Sequence, residues 1–512
     1  MRMMKSRSNI IVALILIGLA SSLAFGQGGA QSGPGQQTTK GAVIKGKAPV
    51  NKEVLKVKLP RAEEATLKNG LQVILLPAHK VPTFNMQLVV LSGGLADKPD
   101  YRGLASFTAS LLREGTKTRS SKDIAEQVDA LGATLTANSG LSTMTSVINA
   151  SGLVENLDQT LDLFADVIRN PTFPQSEVDK YKTRTLAQLQ IQRSIPQFLA
   201  AEQFNKAIYG TNHPASLIAP PAESIKKLTS KDLADFHAMY YRPNNAILAI
   251  VGDVTMKEIM PKLEKVFGDW EKGDVPAVTI PQAPAQAESR IYLIDRPGSV
   301  QTVLQLGTLG IERTSPDYCA VLLADRVLGG GPSGRLFMNL REDKGYTYGA
   351  YTNLDARRTA GTFRATAEVR TPVTGPSLKE FFYELERIGN EPVSQKEIAD
   401  AKSYLTGVFP IRLETQEGLS DQLVQNRMLN LPNDYLETYR DQIQAVTVED
   451  IQRVARTYIK PDEAAVIVIG DGALVTEQIE PYADDVKVYN TSGQATLKLQ
   501  NSPELPFTGK KE

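Results

Sequence analysis

Histidine is the scarcest chemically useful side chain in this 512-residue sequence, with His79, His213 and His237 as the only examples. None stands three or four residues from another, the spacing that sets two imidazoles on one helix face to grip a metal. Each is therefore read as an ordinary hydrogen-bonded or exposed histidine. Ser106 and Ser110 lie one helical turn apart in Gly103-Leu-Ala-Ser-Phe-Thr-Ala-Ser-Leu-Leu-Arg-Glu-Gly-Thr116. No histidine has helical spacing to them and no G-x-S-x-G elbow occurs, so serine catalysis is disfavoured. Cys319 is the single cysteine, which excludes an intramolecular disulfide. Leu328-Gly-Gly-Gly-Pro-Ser-Gly334 invites a phosphate-cradle reading, but no Lys-Ser/Thr pair follows at P-loop spacing. Another run with several hydrogen-bond donors is Arg335-Leu-Phe-Met-Asn-Leu-Arg-Glu-Asp-Lys-Gly-Tyr-Thr-Tyr-Gly349, which includes Arg341 and Tyr348. On residue types alone, Arg341-Glu342-Asp343-Lys344 reads as a solvated charged turn, and Tyr346 and Tyr348 as core aromatics.

The elements that position these residues follow from periodicity. In the 103–116 stretch, Leu104, Phe107 and Leu111 share one helical side, while Ser106, Ala109, Ser110 and Arg113 fall on the other. Ser120 and Asp123 form a capping signal for a helix striped by Ile124, Val128 and Leu131 and stopped by Gly132. Thr134, Thr136 and Asn138 then alternate as a strand does. Thr66 to Leu76 reads as a hairpin around Asn69-Gly70. Ala246–Gly252 and Ala464–Gly470 are short, continuous apolar runs suited to buried strands. Helices alternating irregularly with such strands predict an α+β fold.

Length predicts more than one domain. The 57 basic and 57 acidic side chains balance, and 42% of the chain is hydrophobic, so no global field favours nucleic acid or an anionic membrane. Arg2, Lys5 and Arg7 followed by the apolar Ile10–Leu23 run predict a signal peptide over residues 1–26, ending at Ala24-Phe25-Gly26. That leader predicts a periplasmic or secreted protein with no membrane span after cleavage. Residues 27–53 read as a flexible low-complexity linker and residues 275–287, with Pro276, Pro281 and Pro284, as an interdomain linker. The parts on either side look alike. Pro99-Asp100-Tyr101 recurs as Pro316-Asp317-Tyr318, and Asp232, Tyr240, Pro243 and Asp253 recur as Asp450, Tyr458, Pro461 and Asp471. Both repeats sit about 217 residues downstream of their counterparts, which predicts a duplicated domain. The domains are placed at 54–274 and 288–490, with a polar tail over 491–512.

Gly103–Thr116 resembles the metal helix of the pitrilysin/insulinase (M16) zinc peptidases, G-x-A-H-x-x-E-H-x-x-x-x-G-T. Ser106, Ala109 and Ser110 stand in the slots of the two histidine ligands and the catalytic glutamate. Phe173 to Gln188 resembles the family's distal element, with Gln188 where the third ligand, a glutamate, belongs and Tyr181 in a slot that is often acidic. Arg335–Gly349 resembles the C-terminal-domain motif R-L-[FY]-x-x-[LV]-R-E-x-x-G-L-x-Y. His213-Pro214 resembles the family's structural His-Pro turn, the glycine loop its ordinary tight loop, and Val89–Gly94 the edge strand that pairs with extended substrate.

The resemblance implies two homologous M16/LuxS-like metallopeptidase-fold domains, each a mainly antiparallel sheet with packed helices. It implies no catalytic residue, metal ligand or cofactor in this chain, with zinc expected in a partner subunit. It implies that Arg341 and Tyr348 bind substrate, donating to a peptide carbonyl more strongly as that oxygen becomes an oxyanion. The functional expectation is a non-catalytic subunit of an exported heterodimeric M16-type zinc peptidase, working on peptide or unfolded protein with a homologous H-x-x-E-H subunit. The alternative is a catalytically inactive peptide-binding or scaffold protein of the cell envelope, alone or as a homodimer.

Overall fold

Both continuous apolar runs form strands in which every residue is buried, and each runs through the middle of a sheet. The computed structural model describes residues 61–285, 288–359, 361–482 and 485–498. The expected leader at 1–26 and linker at 27–53 lie outside these residues. The first sheet comprises β1 (Glu63–Thr66), β2 (Gln72–Pro77), β3 (Thr83–Val90), β4 (Thr134–Ser139), β5 (Ser146–Leu153) and β6 (Ala246–Gly252), in the order β1-β2-β6-β3-β5-β4. The second comprises β7 (Arg290–Asp295), β8 (Gln301–Leu309), β9 (Thr347–Asp355), β10 (Thr362–Arg370), β11 (Ala465–Gly470), β12 (Val486–Tyr489) and β13 (Ala495–Lys498). Its order is β13-β12-β7-β11-β8-β10-β9.

The sequence β2-β6-β3-β5-β4 in one sheet is matched by β7-β11-β8-β10-β9 in the other, down to the parallel pairing of first and last strands. All other pairings among these matched strands are antiparallel. The duplication read from the repeats is therefore the architecture of the molecule, an α+β fold built twice. The repeated aspartates have a local cause: Asp232 and Asp450 are the third residues of helices capped by Thr229 and Thr447, each pair closing a capping box. The next residues, Leu233 and Ile451, are fully buried. β13 falls within the stretch expected as a tail.

Each half lends a helix to the other half's sheet. Pro196–Tyr209 packs on β8 and β11, seating Leu199, Phe204 and Ile208 against Val303, Ile467 and Ile469. Gln416–Met428 packs on β3 and β6 of the first sheet. That second contact combines a small apolar cluster, Val424 and Met428 against Val89 and Ala249, with polar links. Gln87 Nε2 donates to Asp421 Oδ1 at 2.5 Å, Ser420 Oγ to Asn85 Oδ1 at 2.9 Å, and Gln416 Nε2 to the Thr83 carbonyl at 3.1 Å. Residues 271–285 carry no helix or strand, yet the interdomain segment is fastened down. His213 Nδ1 accepts from the Ala215 amide, so Nε2 carries the proton and donates to the Pro281 carbonyl at 2.8 Å.

Candidate functional site

The helix that carries Ser106 runs over Leu104–Leu111. The buried Asp97 carboxylate sets its start by accepting from the amides of Gly103 (2.7 Å) and Ala105 (2.9 Å). Burial pushes the Asp97 carboxyl up to about 7 in spite of those two donors. Gly103, at φ +99, supplies the left-handed turn into the helix. Opposite lies the Gln175–Gln192 helix, which holds Tyr181 and Gln188. Phe107 and Tyr181 meet edge to face, with ring centroids 4.6 Å apart, and pin the two helices together.

Between them is a cleft of about 660 Å³ lined by Ser106, Tyr181, Arg184 and Gln188, with Arg357 reaching in from the second half. The structure thus brings Ser106 and Gln188 to one place, as the motif resemblance requires. It differs over Ala109, which has no exposed surface at all, whereas Ser106 and Ser110 are half-buried. These residues do not fit zinc. Hydroxyl, methyl and carboxamide groups replace imidazole and carboxylate ligands, and the charged side chains lining the cleft, Arg184 and Arg357, are both cations. Among the described residues no three His, Cys, Asp or Glu side chains gather in a metal-binding group.

The histidines have other work. His79 pairs with Asp253 at 2.6 Å on the surface, and His213 holds the interdomain segment. His237 Nε2 donates to the Ile168 carbonyl at 2.7 Å and its ring stacks on Tyr241, 4.6 Å between centroids. Burial lowers its pKa to about 4. A histidine depressed in the fold contributes stability above its unfolded pKa near 6.5, and that contribution is lost as pH falls through about 4. The expected loss is roughly 3 kcal/mol. Urea midpoints followed from neutral to acid pH measure it. His237→Gln should flatten the profile, and an unchanged slope would remove this side chain as the cause.

Arg341 lies on a short π-helix, Met338–Asp343, and Tyr348 on β9. Two anchors hold that wider-wound turn. The buried Arg335 makes a bidentate pair with Glu397 (2.6 and 3.2 Å), and Asn339 Nδ2 donates to Glu380 and Glu384, both at 2.9 Å. Burial works to raise the Glu397 carboxyl, but Arg335 and the Ser394 cap together bring it down to about 2. Arg335→Ala leaves the half-buried Glu397 with its Ser394 cap but no counterion, and a loss of roughly 2–3 kcal/mol in chemical denaturation is expected. A loss below about 1 kcal/mol would class the pair with exposed ones.

The anchors leave the tips of the motif outside. Tyr348 is 89% exposed, and the Arg341 guanidinium lies over its ring at 5.3 Å while pairing with Glu342 at 2.7 Å. Arg341 and Tyr348 are thus together, but neither lines the Ser106–Gln188 cleft of their own chain.

Two expectations need revision or restatement. Val89–Gly94 is not a free edge, because β3 is paired along its length with β5 on one side and β6 on the other. Its glycines admit the chain's own 140–145 loop instead. A Cβ on Gly94 would lie 2.4 Å from the Leu141 carbonyl oxygen, and the Gly94 amide donates to Gly140. The edge strands of this sheet are β1 and β4, and β4 packs beside the Leu104–Leu111 helix. The glycine loop is filled from within: Arg326 donates to the Gly330 carbonyl, and the Thr352 amide on β9 to the Gly329 carbonyl.

Residues 72–221 match the family profile described as Insulinase (Peptidase family M16), and residues 227–405 the one described as Peptidase M16 inactive domain. A crystal structure described as a peptidase M16 inactive domain, from Pseudomonas fluorescens, is 30% identical. The likeness covers 80% of this chain and 98% of that one, with a TM-score of 0.74. The chain belongs to peptidase family M16. Among other similar proteins, YmxG of Bacillus subtilis, called an uncharacterized zinc protease, is 24% identical over 80% of this chain and 98% of its own. A Mycobacterium tuberculosis protein with the same description, Rv2782c, is 27% identical, covering 76% of this chain and 89% of its own. A protease from Helicobacter pylori shares the fold at a TM-score of 0.74 and 23% identity, covering 81% of this chain and all of that one. Set beside relatives described as zinc proteases, this chain keeps the M16 framework and has side chains at 106, 109, 110 and 188 that do not fit the metal.

Sequence reasoning missed Arg184, Arg357 and Asp97. Arg184 stands one helical turn before Gln188 in the Phe173–Gln188 stretch, and that spacing is a usable signal. Arg357 comes from the other half of the chain, and nothing local marks it.

Proposed function

We propose that this chain is the non-catalytic subunit of an exported, two-subunit M16-type zinc peptidase acting on peptide or unfolded protein. One observation carries the reading. The helix pair that frames the family's metal site is intact and tightly packed, yet its cleft presents Ser106 and Gln188, while Arg341 and Tyr348 stand stacked and exposed away from that cleft. A donor pair held ready outside its own chain's cleft fits a site completed on a second subunit. The zinc then belongs to a homologous partner with an intact H-x-x-E-H, and this chain closes the chamber. Arg341 and Tyr348 donate to the substrate carbonyl and hold it while charge develops there. The basic and apolar leader pattern supports export.

A second reading is an inactive peptide-binding or scaffold protein of the cell envelope. The exchanged helices favour it, because both sheets gain their cover without a second chain. Co-expression with a zinc-bearing homologue, assayed on mixed-sequence peptides, separates the two. Turnover should appear in the mixture and be absent from this chain alone. A partner equally active with and without this chain would leave only the second reading.

A further inference from the structure

A cavity of about 930 Å³ opens between the two halves beside the Ser106–Gln188 cleft, with which it shares Ser142 and Arg357. Four arginines line it, Arg313, Arg357, Arg358 and Arg427, and Asp355 is the one acidic residue in the lining. Two of the four are already engaged. Arg357 pairs with Asp355 at 2.6 Å, and Arg427 donates to Gln72 at 3.0 Å and faces Glu64 at 3.8 Å. The other two have no carboxylate within ion-pair distance among the described residues. Arg313 is nonetheless held in place: its guanidinium lies 3.7 Å over the Tyr318 ring and donates to the Tyr435 hydroxyl at 2.5 Å. Stacking on an aromatic face fixes the plane of the fork and leaves its edge free to donate. Arg358 is exposed. The remaining walls include apolar surface from Leu95, Met144 and Ile280.

Planar guanidinium donors match a carboxylate with two parallel hydrogen bonds. Apolar walls beside fixed polar groups are the usual make-up of a site that takes a ligand with both kinds of surface. We propose that this cavity binds a carboxylate of a peptide, with Arg313 and Arg358 as its donors and a neighbouring apolar side chain against the Leu95–Met144 wall. The inference rests on the chain being a peptide-capturing member of its family, and it names the substrate class as acidic-ended or acidic peptides. The carboxylate has two possible sources, the peptide's C-terminus or an Asp or Glu side chain.

Direct binding to the purified full chain tests this without any partner subunit. Three fluorescent peptides are compared by anisotropy: a free acid with an apolar last residue, its C-terminal amide, and an amide with one internal glutamate. Either carboxylate-bearing peptide should bind ~10-fold or more tightly than the plain amide, as charge-assisted pairing requires. Which of the two binds identifies the source. Arg358→Glu should erase that preference, and Arg313→Gln should weaken it by ~10-fold. Arg313 also packs two tyrosines, so the exposed Arg358 variant decides the matter if Arg313→Gln unfolds. Equal affinity for all three peptides, no binding of any, or a preference unchanged in folded Arg358→Glu would overturn the proposal. None of these outcomes touches the mixed-enzyme assay, whose failure is read from turnover alone.

Discussion

Arg341→Ala is expected to lower kcat/KM of the mixed enzyme by ~10²-fold or more while leaving the two chains associated. The size follows from the kind of contact proposed. A charged donor aimed at a developing oxyanion in a water-poor chamber typically contributes about 3–4 kcal/mol to the transition state and much less to the ground state. In the free chain, by contrast, the Arg341–Glu342 pair is solvent-facing, with both side chains more than a third exposed, and breaking such a pair costs at most about 1 kcal/mol. Folding should therefore survive the change. Tyr348→Phe removes one hydroxyl from a ring that is 89% exposed, and a fall of ~10-fold in turnover is expected. Full activity in both variants would detach the pair from substrate.

The second large effect concerns the metal. Ser106→His, Ser110→His and Gln188→Glu, made together, should give a chain that holds zinc stoichiometrically through dialysis. The reason is positional: Ser106 and Gln188 already line one cleft, and Ser110 stands one turn along the same helix. Arg184 lines that cleft as well, and its charge opposes a dication, so affinity should rise further with Arg184→Gln. Zinc uptake should not bring peptide hydrolysis with it. The general base belongs at position 109, where Ala109 is fully buried, and a glutamate there meets closed packing and the cost of burying its charge. A folded triple variant without stoichiometric metal would mean that the helices no longer approach as a zinc site needs.

Local chemistry accounts for what was legible in the sequence. The Ser120–Asp123 capping box starts the Ser121–Ala130 helix as expected, and Thr229/Asp232 and Thr447/Asp450 repeat the same device in each half. The apolar runs at 246–252 and 464–470 gave their strands because continuous burial on both faces leaves no room for polar residues. The hairpin at Asn69-Gly70 formed as read, with Asn69 tied to the Phe267 and Trp270 carbonyls. What escaped was set by distant partners. The Gln416–Met428 helix buries Leu419, Ser420 and Val424, with little apolar stripe to announce it, because much of its dock is made by polar links to residues hundreds of positions away. Val89–Gly94 has the glycines of an edge strand, but those glycines serve an internal loop. Ala109 looked like part of an open helix face, and periodicity cannot tell an open face from one the fold has covered. Arg313 and Arg358 carried no motif, since a cavity between halves is assembled only by tertiary structure.

The exchange of helices bears on how such a chain is made. A polypeptide appears from its N-terminus first, and domains generally fold as they emerge. Here the first sheet's outer face, with Asn85 and Gln87 on it, is covered by residues 416–428. The first half must wait, partly bare, until nearly the whole chain has been delivered. Contacts of such long sequence separation slow folding and prolong the exposure of sticky intermediates. A nick in the 271–285 segment should likewise leave the two pieces clasped, each still holding the other's helix. The repeat is the unit of the sequence, but the complete chain is the smallest piece that can close both of its own faces.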